Sequence, residues 1–188
     1  MVQGRGINSS INETGQKQAE LFHSAYSTVP FDKVYVSALK RTKESVQRFI
    51  DAGLPFESIE DLDEISWGHH EGQTFDPDMH DKYLKCVESW QSRNLDASVS
   101  GGESPNQVMA RQKKAIEYIL SKSEEEHVLI CSHGRAIRIL VCWLLNHPLY
   151  KMEMYKHQNL CLYQFEVIEG KFSLEKENDV EHLSPLKD

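Results

Sequence analysis

A chain of 188 residues fits one domain with a sizeable core, and 39% hydrophobic with 27% charged residues is ordinary for a globular protein. A net charge of -8 argues against a general nucleic-acid binder, which carries a basic face. It leaves room for an anionic substrate held by a few arginines in a cleft.

Residues 1–6 lack an apolar leader, and the most apolar stretch, 136–145, is interrupted by Arg138 and too short for a bilayer. A soluble cytoplasmic protein with no membrane partner is expected. Cys86, Cys131, Cys142 and Cys161 form no CxxC pair and read as reduced, partly buried thiols.

No repeat or linker divides the chain. Asn12-Glu13-Thr14-Gly15 opens a helix over 16–27, with Asn12 as cap and Ala19, Phe22 and Tyr26 on one face. Val34-Tyr35-Val36-Ser37 reads as a buried strand, followed by a helix over 40–51 with Val46, Phe49 and Ile50 inward and Gly53 as its stop. Residues 55–59 suggest a short edge strand leading into a loop over 61–72, and 77–92 is weakly helical. Gly101-Gly102-Glu103-Ser104-Pro105 opens a long helix carrying Val108, Ile116, Ile119 and Leu120 inward. Val128-Leu129-Ile130-Cys131 is the clearest buried strand and 135–145 the clearest buried helix. Two antiparallel strands, 160–167 and 171–175, turn at Glu169-Gly170.

Strands alternating with helices predict an α/β fold, a three-layer α/β/α sandwich with a mostly parallel central sheet. Ligands bind such sheets outside the carboxyl ends of the strands. Three strand-end loops, 37–41, 61–72 and 132–135, therefore converge on one place.

Each loop carries a reactive group. His133 stands between a buried strand and a helix start, where it can hold a phosphoryl oxygen, and Gly134 lets another group approach the backbone closely. Arg41 lies in a first helical turn, where a positive charge is unfavourable and asks for an anion; its planar fork matches phosphate oxygens. Glu64, desolvated beside Trp67, would have the raised pKa of a general acid, with Asp63 and Glu71 as rivals. His69-His70 invites a metal, but no third ligand stands at a suitable spacing, and no metal or cofactor is expected.

Five segments in order resemble the histidine phosphatase superfamily, the phosphoglycerate-mutase-like family, over nearly the whole length. They are Asn12-Glu13-Thr14-Gly15-Gln16-Lys17-Gln18-Ala19, Ser37-Ala38-Leu39-Lys40-Arg41-Thr42, Leu62-Asp63-Glu64 with Gly68 and Glu71-Gly72, Gly101-Gly102-Glu103-Ser104, and Ser132-His133-Gly134. The resemblance implies that Arg41 grips the phosphate and that Glu64, not its rivals, donates the proton. The family hallmark, a strand ending in Arg-His-Gly whose histidine is the nucleophile, has no counterpart here. Met1-Val2-Gln3-Gly4-Arg5-Gly6 resembles the loop that follows it, which makes Gly4 and Arg5, with Arg41 and Gly134, the implied substrate-binding set. The expectation is that Met1 is an internal methionine of a longer protein, and that without the missing central strand the domain is marginally stable.

For the complete protein the resemblance implies hydrolysis of small phosphomonoesters through a phosphohistidine. The alternatives are a cofactor-dependent phosphoglycerate mutase and, for a chain truly starting at Met1, a phosphate-binding pseudoenzyme. The compact spacing and Glu64-Ile65-Ser66-Trp67-Gly68 look more like the phosphatase branch. The expected partner is a small phosphate ester or inorganic phosphate, with a homodimer left open, and residues 75–100 are expected to form a lid.

Overall fold

Strand β1 (Lys33–Val36) alternates its side chains between two apolar layers, and this alternation organises the fold. The computed structural model describes residues 3–74 and 76–186. Met1 and Val2 of the amino-terminal stretch and Phe75 of the expected lid lie outside the described residues. Val34 and Val36 pack with Phe22 of α1 (Glu13–Tyr26) and Phe49 of α3 (Gln47–Asp51) on one face. On the other face Tyr35 meets α5 (Pro105–Leu120) and α6 (Gly134–Leu144) through Ile116, Ile119, Leu140 and Leu144. Period-2 strands between period-3.6 helices give the expected three layers.

β1 is central in a parallel sheet of order β2-β1-β3, with β2 (Phe56–Ser58) on one side and β3 (Val128–Cys131) on the other. All three strands point the same way, so the loops after them gather at one end. Helix α2 (Lys40–Ser45) follows β1, and α4 (Pro77–Gln91) follows the second loop. A third apolar cluster joins α4, α5 and α6 through Trp90, Val108, Ile139 and Val141, with Trp67 of the second loop stacked on Trp90.

The expected helix over 40–51 is two helices, broken at Val46 (φ -117°, ψ 12°). The Ser45 hydroxyl donates to the Arg41 carbonyl, and the Val46 amide reaches back to Lys43, so the turn tightens there. Leu120 was expected inward but is half exposed. The buried stripe of α5 runs through Val108, Arg111, Gln112, Ala115, Ile116 and Ile119, and Leu120 falls just off it.

β4 (Leu162–Ile168) and β5 (Lys171–Asp179) form the expected antiparallel pair, with β5 four residues longer than the sequence suggested. Among the described residues this pair hydrogen-bonds to no other strand, and the outer edge of β3 is unpaired. A cavity of about 1770 Å³ runs along that edge, walled by Ile130 and Leu140 on one side and Leu162, Phe165 and Phe172 on the other. Arg41, Glu64 and His133 line it as well.

Candidate active site

The loop after β1 places Arg41 in the first turn of α2, half-buried, where its guanidinium turns inward. Nε donates to Nδ1 of His133 at 3.1 Å, while Nη1 and Nη2 donate to the carbonyls of Ile7 (2.6 Å) and Gly4 (3.2 Å). Three of its five donors are thus committed. Burial pushes its pKa down, with Glu64, Asp63 and Glu71 pulling the other way.

His133 caps α6 and is buried. Its second nitrogen, Nε2, lies 2.8 Å from Ser37 Oγ. Burial, then the neighbouring charges of Arg41, Arg111 and His157, push its pKa down to about 3, so the ring is neutral. Gly134 is a glycine for a packing reason: a Cβ there would lie 2.8 Å from Cδ2 of His157. His157 is the close-approaching group, and sequence reasoning did not single it out. It lines the same cavity, and its pKa is pushed down to about 4 by burial and then Arg138.

Three carboxylates of the acid loop between β2 and α4 have three duties. Oε1 of Glu64 accepts the amides of Ile65 and Ala136, both at 2.9 Å, and Oε2 accepts the amide of Arg135 at 3.1 Å. Its carboxylate therefore sits on the positive end of α6. Burial raises its pKa; the three amides and then Arg135 pull it back. The expected desolvation is present, and it comes with a place at a helix start. Asp63 accepts the amide of Ala38 at 2.8 Å and pairs with Arg5 at 3.1 Å. Glu71 accepts the amides of Gly6 (2.6 Å) and Trp67 (2.7 Å), tying the amino-terminal loop to the acid loop. Of the three, Glu64 lines the cavity.

Arg5 lies against Asp63, Glu60 and Glu103 and does not line the cavity. Gly4 contributes its carbonyl to Arg41, and a Cβ on it would strike Glu71. The structure thus brings Arg41, Glu64, His133 and Gly134 together around one end of the cavity, with Arg5 one layer away.

Arg111 is a second residue that sequence reasoning passed over. It is buried on α5, and all five of its donors are used. Nη1 holds the carbonyls of Asp61 and Asp63 (both 2.8 Å), and Nη2 that of Glu64 (3.0 Å). Nε and Nη2 grip the Glu103 carboxylate at 3.0 and 3.1 Å. Glu103 in turn accepts the Ser66 amide at 2.8 Å. A charged residue inside an apolar helical stripe was the signal that could have found it.

A site at the carboxyl ends of parallel strands, walled by an arginine, a histidine and a helix start, is of the kind that α/β proteins use to hold anions. Residues 1–180 match the model of the histidine phosphatase superfamily (branch 1), and the chain belongs to that superfamily. It is 28% identical over 146 residues to phosphoserine phosphatase 1 of Hydrogenobacter thermophilus, covering 77% of this chain and 69% of that one. It is also 28% identical over 152 residues to a probable phosphoglycerate mutase of Erwinia tasmaniensis, covering 78% and 68%. The fold matches a mycobacterial glucosyl-3-phosphoglycerate phosphatase in complex with inorganic phosphate, with a TM-score of 0.85 at 19% identity over 97% and 93% of the two chains. Among the described residues no three metal-ligating side chains cluster, and no helix is long and apolar enough to cross a membrane.

Proposed function

We propose that this protein is a phosphatase for small phosphomonoesters. The observation that carries the reading is the direct Arg41–His133 contact beside a buried carboxylate, all lining one cavity at the ends of three parallel strands. Phosphoryl transfer needs its equatorial oxygens held and its leaving oxygen protonated. Arg41 and His133 hold the oxygens, Gly134 adds an amide at the start of α6, and Gly4 and Arg5 order the loop beside them. Glu64, whose pKa burial raises toward the protonated form, gives its proton to the leaving oxygen.

The phosphohistidine route calls for a histidine as the nucleophile. His133 is unsuited to that role, since both of its ring nitrogens are engaged. Attack forms a nitrogen–phosphorus bond as the phosphorus–oxygen bond to the alcohol breaks. Water, losing its proton to Glu64, then displaces the histidine and releases phosphate. The setting is the cytoplasm, consistent with four unpaired thiols.

The protein from its native source, quenched during turnover of a radiolabelled aryl phosphate, is expected to hold an acid-labile, alkali-stable label. Turnover without that label would overturn the phosphohistidine reading. A strict need for a bisphosphorylated primer would favour a mutase, and phosphate binding without turnover a pseudoenzyme.

A further inference from the structure

The hydrogen bonds around His133 admit one arrangement of protons. Arg41 Nε always carries a proton and donates it to Nδ1, so Nδ1 is an acceptor and the ring proton sits on Nε2. Nε2 then donates to Ser37 Oγ at 2.8 Å. The same oxygen accepts the Leu39 amide at 3.1 Å, so both of its lone pairs are filled. Its own proton must turn to Thr42 Oγ1, 3.0 Å away, and Thr42 donates onward to the Leu39 carbonyl at 2.8 Å. Ser37, Thr42 and His133 are buried, so solvent offers no competing partner. An imidazolium would set a proton on Nδ1 against that of Arg41. The ring is a neutral Nε2–H tautomer because two hydroxyls behind it hold it so.

This arrangement holds the single Nδ1 lone pair against Arg41, at the place where a phosphate oxygen would displace Nε. A phosphate dianion reaching Nδ1 brings only lone pairs of its own. The two can bond only after a proton arrives between them. We propose that the Ser37–Thr42 hydroxyl relay locks the His133 proton on Nε2, so that binding of a phosphate dianion at Nδ1 takes up one proton from solvent. The inference deepens the phosphatase reading and rests on its phosphate site. The balance is simple: neutral histidine, phosphate dianion and one proton give an imidazolium–dianion pair, while Arg41 Nε gives up its bond to Nδ1 and donates to a phosphate oxygen instead. A phosphate monoanion brings the same proton with it.

The groups facing His133 fit this coupling. Arg41 on α2, Arg111 on α5 and His157 beyond α6 oppose a second positive charge on the free ring. The Glu64 carboxylate takes the amides of Ile65, Arg135 and Ala136 and makes no hydrogen bond to the ring. A bound dianion supplies the missing negative charge. Ser37 and Thr42 are positioning residues, acting on the ligand only through the imidazole.

Calorimetric titration with inorganic phosphate, in buffers of different ionisation enthalpy, counts the protons. The wild-type protein is expected to take up about one proton per phosphate at about pH 8.5, and close to none at about pH 5.5, where the monoanion carries it in. Ser37→Ala frees Nε2 from its acceptor, so the ring can carry its proton on Nδ1 and donate directly; uptake at high pH should fall below about half. A purely structural role would change affinity or stability and leave the count at one. A wild-type count near zero at high pH, or an unchanged count in Ser37→Ala, overturns the proposal. Should Ser37→Ala fail to fold, Thr42→Val is titrated in its place, with the same expectation. The nitrogen-15 spectrum of free wild-type protein reads the tautomer directly: a proton bonded to Nε2 is expected, and one on Nδ1 overturns the relay. If phosphate does not bind at all, the phosphate-site reading fails, while that spectrum still judges the relay.

Discussion

Arg111 holds the main-chain carbonyl of Glu64 at 3.0 Å while the carboxylate of the same residue is held by the first amides of α6. A loop residue is thereby gripped at both ends by two different helices. The acid loop has little regular structure of its own beyond two short 3-10 turns, Glu60–Leu62 and Gly68–His70. Its shape comes from these side-chain clamps. A general acid needs such fixity, because misplacement by about an ångström costs orders of magnitude in rate.

Replacing Arg111 tests the clamp. Arg111→Met leaves three buried carbonyls and the Glu103 carboxylate without their partner. Removing one member of a buried, hydrogen-bonded charge pair costs about 3–5 kcal/mol. Arg111→Lys should recover only part of this, since three donors on a point charge cannot reproduce five on a planar fork. Urea denaturation of the two variants checks the order. A loss below about 1 kcal/mol for Arg111→Met would sink the argument.

Gly134 and His157 make a second, sharper case. On helix propensity alone, Gly134→Ala should stabilise by about 0.5–1 kcal/mol. The added Cβ would lie 2.8 Å from Cδ2 and 3.1 Å from Nε2 of the His157 ring. Overpacking of that kind costs about 1–3 kcal/mol, so the clash should win and the single variant should be less stable. In a His157→Ala background the same substitution should become neutral or stabilising. A double-mutant cycle reads the coupling, and additive effects would refute it.

Much of this was legible in the chain, and the limits are physical. The β-branched runs of β1 and β3 fixed where the parallel sheet lies, because a strand buried on both faces has few other solutions. The gathering of residues 37–41, 61–72 and 132–135 followed from the strands pointing one way. Contacts between charges distant in sequence were not legible. Arg5 was expected to face phosphate, yet Asp63, 58 residues later, holds it. No local pattern announces such a pair. The break at Val46 depends on Ser45 competing for a carbonyl, a choice that propensity alone does not decide. The separation of β4 and β5 from the main sheet is set by tertiary pairing, which alternation along one strand cannot report.

The depressed pKa of His157 gives a pH dependence of definite sign. His157 titrates near 4 in the folded protein against an ordinary 6.5, so the unfolded chain takes up its proton first as pH falls. Its contribution is fully present above pH 6.5 and is lost down to about 4. Compared with His157→Gln, the wild-type protein should lose about 2–3 kcal/mol of stability between pH 7 and 4. Denaturation at stepped pH measures the difference. Taking it between two proteins cancels the opposing effect of Glu64 and Asp63, whose raised pKa values favour the folded state as pH falls. A pH-independent difference would mean that His157 titrates normally.

Glu64→Gln separates proton donation from everything else the residue does. The amide keeps the size of the side chain and one oxygen for the amides of Ile65 and Ala136, but it turns an NH2 toward the amide of Arg135. Two donors then face each other, and a stability loss of about 1–3 kcal/mol is expected. The kinetic signature is distinct from that loss. Nitrophenolate leaves without help, whereas an alkoxide must be protonated as the bond breaks. In the protein from its native source, hydrolysis of an alkyl phosphate should fall about 10²–10⁴-fold and that of nitrophenyl phosphate less than about tenfold. Any damage to folding or to phosphate binding would slow both substrates alike. Equal slowing would therefore remove Glu64 from the acid's role and leave it as the carboxylate that caps α6.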